Sequence, residues 1–206
     1  MTRETILIAT RSVGKLRELR PLLADAGYGA KDLTEAGILE RPEEDSLECF
    51  ATFEENALAK ARYFFDRSVG LPVLADDSGL EVEALGGRPG VRSKRWSGRS
   101  ELHGQALDDA NNAMLLASLG EELNRRARYV CAAVFVDERG AVVRRGETCG
   151  EIVMAPCGSG GFGYDPYFLS VELGRTFGEA TAEEKASVSH RARAVRSLLV
   201  ALHGRG

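Results

Sequence analysis

Short apolar runs alternate with leucine-spaced helical stretches along this chain, and that alternation limits the fold more than any other feature. Ile6 to Ala9 is a short buried-strand pattern; beyond Gly14, Leu16, Leu19, Leu22 and Leu23 recur at helical spacing until Gly27 stops them. Pro21 lies inside that pattern and is expected to kink the helix or limit its regularity. Residues 30–48 are polar and irregular. A second helix carries Phe50, Phe53, Ala57, Ala61 and Phe64 on one face, with Thr52 and Glu55 at capping-box spacing near its start. Pro72 opens the stretch VLADDSG (73–79), after which Leu80, Val82 and Ala84 alternate with Glu81 and Glu83 as far as GGRPG (86–90). A helix is predicted from about Gln105 to Leu119, ending at Gly120. YVCAAVFVD, a turn at Glu138 to Gly140, and AVVRRGETCGEIV read as a long β-hairpin. The glycine-rich loop CGSGGFGYDP (157–166) precedes a helical tail from about Thr181 to His203. Strands and helices in this order indicate an α/β fold. No repeat, low-complexity linker or domain boundary breaks the 206 residues, so one domain is expected over the whole chain.

VLADDSG poses a question of its own, because an apolar strand there closes on two adjacent carboxylates, Asp76 and Asp77. Neighbours in a strand point to opposite faces, so at most one of them shares a face with Leu74. Asp-Ser-Gly also suits a plain turn at the end of a strand.

Composition removes several function classes. A formal net charge of −4 disfavours a long nucleic-acid polymer and leaves room for a small anion where basic residues converge. The four cysteines have no CxxC spacing and no clustered histidines, so neither a zinc site nor a disulfide framework is expected, and a reducing, cytoplasmic setting fits. The opening MTRETILIATRS is too short in apolar length for a signal peptide, and no run approaches the roughly 18 apolar residues of a membrane span.

Four stretches carry chemistry. ATRSVGKLRE (9–18) reads as a strand, a loop and a helix start with Lys15 in its first turn, where free N–H groups and the helix dipole favour an anion. A Walker loop is rejected, since Ala9 and Leu16 replace the required Gly and Ser/Thr. GSGGFG (158–163) matches GxGxxG but leads into Tyr164-Asp165-Pro166 rather than a helix, which argues for a shaped loop presenting aromatic rings to a flat ligand. In TAEEKASVSHRARAV (181–195), Thr181 and Glu184 form a capping box. Lys185 and His190 on one continuous helix would stand ~140° apart, whereas a break at Ser189 would start a second helix at His190-Arg191. The acidic set Glu48, Glu54, Glu55, Asp76 and Asp77 lacks His or Cys partners and suits a hard cation such as Mg²⁺. Each stretch alone equally suits an ordinary junction, turn or solvated face.

Together they resemble one family, the noncanonical purine nucleoside triphosphate pyrophosphatases, which includes inosine triphosphatase. TRSVGK (10–15), ECFATFEENALAKA (48–61), LADDSGLEVEALGGRPGVRS (74–93), GGFGYDPYF (160–168) and EEKASVSHR (183–191) stand in the family's order and span nearly the whole chain. The resemblance implies a two-lobed mixed β-sheet with flanking helices around a central nucleotide-binding cleft, in a homodimer. It implies Mg²⁺-dependent hydrolysis of ITP, dITP and XTP to the monophosphate and pyrophosphate, with water attacking the α-phosphorus. By position it makes Asp77 the catalytic carboxylate and a metal ligand, and Glu48 a second metal ligand. It gives substrate binding to Thr10, Arg11, Ser12, Val13, Gly14, Lys15, Ser78, Phe162, Gly163, Tyr164, Asp165, Lys185, His190 and Arg191. His190 and Arg191 are expected to donate to the base, which sets ITP and XTP ahead of GTP and ATP last. Where the family's loop reads (S/T)-G-N-x-x-K, this chain has Arg11 and Ser12 at the Gly and Asn positions. A nucleotide sensor with weak turnover, or a pyrophosphatase for another modified nucleotide, are the other readings.

Overall fold

The computed structural model describes residues 4–204. Their elements run β1 (Thr5–Ile8), α1 (Val13–Asp25), β2 (Gly29–Asp32), α2 (Phe53–Phe65), β3 (Val73–Val82), α3 (Gly104–Leu119), β4 (Arg126–Asp137), β5 (Gly140–Ile152), β6 (Phe168–Ser170), β7 (Arg175–Thr176), α4 (Ala182–Val188) and α5 (His190–His203). The strands make a mixed sheet in the order β2-β1-β3-β4-β5-β6-β7. β1 runs parallel to β2 and β3, while β5–β6 and β6–β7 are antiparallel. This is the α/β class that the order of elements predicts.

The chain divides into two compact units. The first takes the residues up to Asp77, Cys131–Gly146, and those from Arg191 onward. Its core joins Ile6 and Ile8 of β1, Leu19, Leu22 and Leu23 of α1, Leu74, Cys131 and Ala133, and Val195, Leu198 and Leu202 of α5. Ser12 caps α1 by accepting the Lys15 N–H at 3.4 Å, and Gly27 ends the turn beyond it at φ +86°. Pro21 stays inside α1 and does not divide it. Thr52 caps α2, whose apolar stripe is Phe53, Ala57, Ala61 and Phe64. Phe50 precedes that helix and is 44% exposed, so it is not part of the stripe.

The second unit takes Ser78–Val130 and Glu147–His190, around a core of Leu80, Val82, Leu115, Leu119, Tyr129, Ile152, Phe168 and Phe177. Gly120 ends α3, and the Thr181–Glu184 capping box opens α4. Ser189, in an extended conformation, separates α4 from α5, so the tail is two helices and His190 starts the second.

One expectation is corrected here. β3 does not end at the aspartate pair, but runs unbroken from Val73 to Val82. Asp-Ser-Gly has turn chemistry, yet both carboxylates are buried and hydrogen-bonded or ion-paired through their side chains, so the backbone stays in the ladder. Ala84 belongs to a 3-10 turn, Glu83–Leu85, rather than to the strand.

Candidate active site

Asp76 is the polar centre of the first unit. It is fully buried, and Lys15 Nζ and Arg191 Nε each lie 3.0 Å from its Oδ2. Lys60 Nζ donates to its main-chain carbonyl. Burial by itself would raise the carboxyl, but Lys15, Arg191 and Lys60 outweigh burial and hold it far below the usual carboxylate range. Arg191 is 2% exposed and also pairs with Glu18. Burial opposes its charge, yet Glu18 and Asp76 prevail and raise it.

Asp77 stands on the opposite face of β3 and is compensated differently. Its Oδ2 accepts a hydrogen bond from Asn56 Nδ2 at 2.9 Å, and Asn56 Oδ1 in turn accepts the Phe50 N–H at 2.8 Å. Burial pushes the Asp77 carboxyl up; Lys15 pulls it down, Glu48 pushes it further up, and the net shift is upward. Glu48 Oε1 lies 2.6 Å from Lys60 Nζ. Lys60 is buried, which disfavours its charge, but Glu48, Asp76 and Asp77 keep it protonated with a raised pKa.

Thr10 to Gly14 precede Lys15 in sequence and belong to the same unit. The Thr10 hydroxyl accepts the Ser12 N–H at 3.2 Å. Arg11 turns to Glu44 in a bidentate pair, Nε–Oε2 2.7 Å and Nη2–Oε1 2.8 Å. Its charge is therefore matched by Glu44, and its Nη groups also reach the Ile38 carbonyl at 3.4 and 3.5 Å. Ser12 replaces an amide with a hydroxyl and uses it as the helix cap. Val13 is exposed and Gly14 half-buried in the first turn of α1.

In the second unit the glycine-rich loop closes around Asp165. Its Oδ2 accepts the Phe162 N–H at 2.8 Å and an N–H of Lys185, and its Oδ1 lies 3.3 Å from the Tyr129 hydroxyl. Gly161, at φ +74°, is required there: a Cβ would stand 2.1 Å from Asp165 Oδ2. The Lys185 ammonium lies over the rings of Phe162 and Phe177, 4.8 and 5.3 Å from their centroids. Tyr164 is buried, with its hydroxyl on the Ser93 carbonyl at 2.7 Å. His190 is also buried and stacks on Tyr129, centroids 4.5 Å apart and planes 8° from parallel. Ser78 is the half-buried first residue of this unit.

The residues singled out from sequence thus gather in two sets. Thr10 to Lys15, Glu48, Asp77 and Arg191 lie in the first unit, and Ser78, Phe162 to Asp165, Lys185 and His190 in the second. Glu48 and Asp77 bring carboxylate oxygens, the donors a hard divalent cation takes, and Asp77 is the carboxylate whose charge a cation would relieve. Among the described residues no group of three or more His, Cys, Asp or Glu side chains gathers as a metal cage. Sequence reasoning missed Asn56, Lys60, Glu18 and Glu44. The first two left a signal: polar residues four apart on an otherwise apolar helical stripe, one of them a scarce lysine.

The family model described as Ham1 family matches residues 6–201. The chain belongs to the Ham1 family. The dITP/XTP pyrophosphatase of Mycolicibacterium paratuberculosis is 48% identical to this Ham1-family chain, over 96% of it and 95% of that protein. The dITP/XTP pyrophosphatase of Thermus thermophilus is 46% identical, over 95% of this chain and 90% of that one. The solved Ham1 protein of Staphylococcus aureus aligns with a TM-score of 0.81 at 34% identity, covering 98% of this chain and all of that one. The nucleoside-triphosphatase / dITP/XTP pyrophosphatase of Mycobacterium abscessus aligns at 0.70 and 44% identity, covering 95% and 98%.

Proposed function

We propose that this protein hydrolyses noncanonical purine nucleoside triphosphates, dITP, XTP and ITP, to the monophosphate and pyrophosphate. Near-full-length identity to proteins named dITP/XTP pyrophosphatase supports the activity. The geometry that carries it is the unequal treatment of Asp76 and Asp77: lysine and arginine bind the first, and an amide holds the second.

Lys15, fixed by Asp76, and the first N–H groups of α1 bind phosphate oxygens. Asp77, held by Asn56, orients a water toward the α-phosphorus and accepts its proton as the water oxygen bonds there and pyrophosphate leaves. Glu48 and Asp77 would hold a Mg²⁺ ion, which neutralises phosphate charge when bound. Lys60 holds Glu48 in place through their ion pair at 2.6 Å. In the second unit Phe162 supplies a stacking face for the base, and Lys185 over that ring meets an acceptor on the base edge. A 6-oxo purine offers that acceptor, whereas adenine presents an amino donor, so ATP is disfavoured. Arg191 is a positioning residue that fixes Asp76, and so Lys15, rather than a reader of the base. The working form is a homodimer.

The test is pyrophosphate release from dITP, XTP, ITP, GTP and ATP, with Mg²⁺ and with EDTA. The expected order puts dITP, XTP and ITP well ahead of ATP, no turnover in EDTA, and a folded, inactive Asp77→Asn variant. Full activity in Asp77→Asn overturns its role, and a preference for ATP overturns the substrate class.

A further inference from the structure

The glycine-rich loop has little stiffness of its own. Gly158, Gly161 and Gly163 all adopt positive φ, and ordering an unrestrained backbone residue costs conformational entropy. A loop that presents a stacking ring must therefore be held from outside. Part of the restraint comes from Asp165, as described above. The rest comes from α3. Asp108 Oδ2 accepts the Gly163 N–H at 2.8 Å, and Asn112 Nδ2 donates to the Gly163 carbonyl at 2.9 Å. The two side chains are four residues apart, on one helix face, one turn from each other. They read both polar groups of one residue, as a neighbouring strand would.

The clamp is rooted. Asn112 is 4% exposed, and its neighbour Asn111, 3% exposed, bonds the Ser97 N–H at 2.8 Å and the Lys94 carbonyl at 3.1 Å. Ser93, just before that segment, receives the hydroxyl of Tyr164. One polar face of α3 therefore holds the backbone of Gly163 directly and supports the segment on which Tyr164 is anchored. The Phe162–Gly163 and Gly163–Tyr164 peptide planes are both fixed by it, and with them the backbone that carries the ring of Phe162.

We infer that Asp108 and Asn112 are positioning residues of the nucleotide site, acting through Gly163 to hold Phe162 as a preformed stacking face. The inference rests on the proposed function, in which Phe162 meets the base. Neither side chain touches the reacting phosphate. Losing the clamp therefore weakens binding of ground state and transition state alike, which raises KM and leaves kcat nearly unchanged.

The experiment uses Asp108→Ala, Asn112→Ala and Asn112→Asp, with Asp108→Asn as rescue because its side-chain oxygen still accepts the Gly163 N–H. Each variant is assayed for dITP kinetics and for hydrogen exchange of the peptide covering residues 158–167. Asp108→Ala and Asn112→Ala are expected to raise KM about tenfold with kcat within about threefold, and to speed loop exchange about tenfold while β4 is unchanged. Asn112→Asp, which sets a carboxylate against the Gly163 carbonyl, is expected to do more, and Asp108→Asn to stay within about threefold of the parent. Unchanged KM and unchanged loop exchange in folded Asp108→Ala overturn the inference. So does a fall in kcat at constant KM, or an Asp108→Asn variant as impaired as Asp108→Ala. If the parent protein releases no pyrophosphate from any of the five nucleotides, the proposed function fails. The clamp is then decided by the exchange measurement alone.

Discussion

Asp76 and Asp165 are both buried aspartates at the centre of their units, yet they are neutralised in different ways. Asp76 carries two cations on one oxygen and a third on its main-chain carbonyl. Asp165 carries one lysine, one main-chain N–H and one tyrosine hydroxyl. The first unit fixes charge with charge, so its cluster is rigid in composition: remove one ion and an uncompensated one stays buried. The second unit fixes backbone with side chains around glycines that must take left-handed conformations. Its tolerance at those glycines is set by space and φ, around one buried ion pair, Lys185–Asp165.

The largest expected effect breaks the first side of the comparison. Arg191→Leu leaves Asp76 and Glu18 without their shared cation, and should cost about 3–5 kcal/mol, a fall in melting temperature of roughly 10 °C. Its residual activity, compared on dITP and ATP, should be reduced by similar factors. A loss confined to dITP would return Arg191 to the base and undo its role as a brace.

Next comes a pair of glycines in the second unit. Gly161→Ala drives a Cβ to 2.1 Å from Asp165 Oδ2 at φ +74°, whereas Gly163→Ala at φ +63° meets nothing within 4 Å. The first should cost about 3 kcal/mol, from backbone strain plus a disrupted buried hydrogen bond, and the second about 1 kcal/mol from strain alone. Urea denaturation midpoints separate them; equal costs would mean the loop is not packed around Asp165.

A smaller effect belongs to the loop that opens α1. Ser12→Ala removes the α1 cap and should cost about 1 kcal/mol, while Ser12→Asn retains a capping oxygen and should stay within a few tenths. Ser12→Asn should also keep or raise kcat/KM. A loss above about tenfold would show that the loop is built around the hydroxyl.

The smallest effect concerns pH. Burial raises the Asp108 carboxyl, and the Gly163 N–H only partly offsets this. A raised carboxyl contributes stability below its unfolded pKa of about 3.8 and loses it as pH rises through the folded value. Asp108→Asn removes that loss. Its melting temperature should match the parent at pH 3 and exceed it by at most about 2 °C at pH 7, since solvent screens a half-exposed charge. A lower value than the parent at pH 7 would show that the charge itself strengthens the clamp.

Local pattern made much of this protein legible. Leucine spacing, caps at Thr52 and Thr181, and stops at Gly27 and Gly120 placed the helices, because these signals act within a few residues of each other. The break at Ser189 was legible for the same reason. The motif blocks and their order were enough to identify the resemblance that the family match bears out. The course of β3 through Asp76 and Asp77 was not legible, because it depends on Lys15, Arg191 and Asn56, which are 61, 115 and 21 residues distant in sequence from the aspartates they meet.

The sequence by itself determined most of the helices and long strands and the α/β class, and it offered candidate site residues, since each follows from spacing, charge and side-chain type. Only the tertiary structure decided which charges meet. It gave Arg11 to Glu44, Arg191 to Asp76 and Glu18, and Lys60 to Glu48, and it set Asp108 and Asn112 on either side of Gly163. Coulomb and hydrogen-bond energies depend on separation in space and on burial, and neither quantity is fixed until the chain has folded.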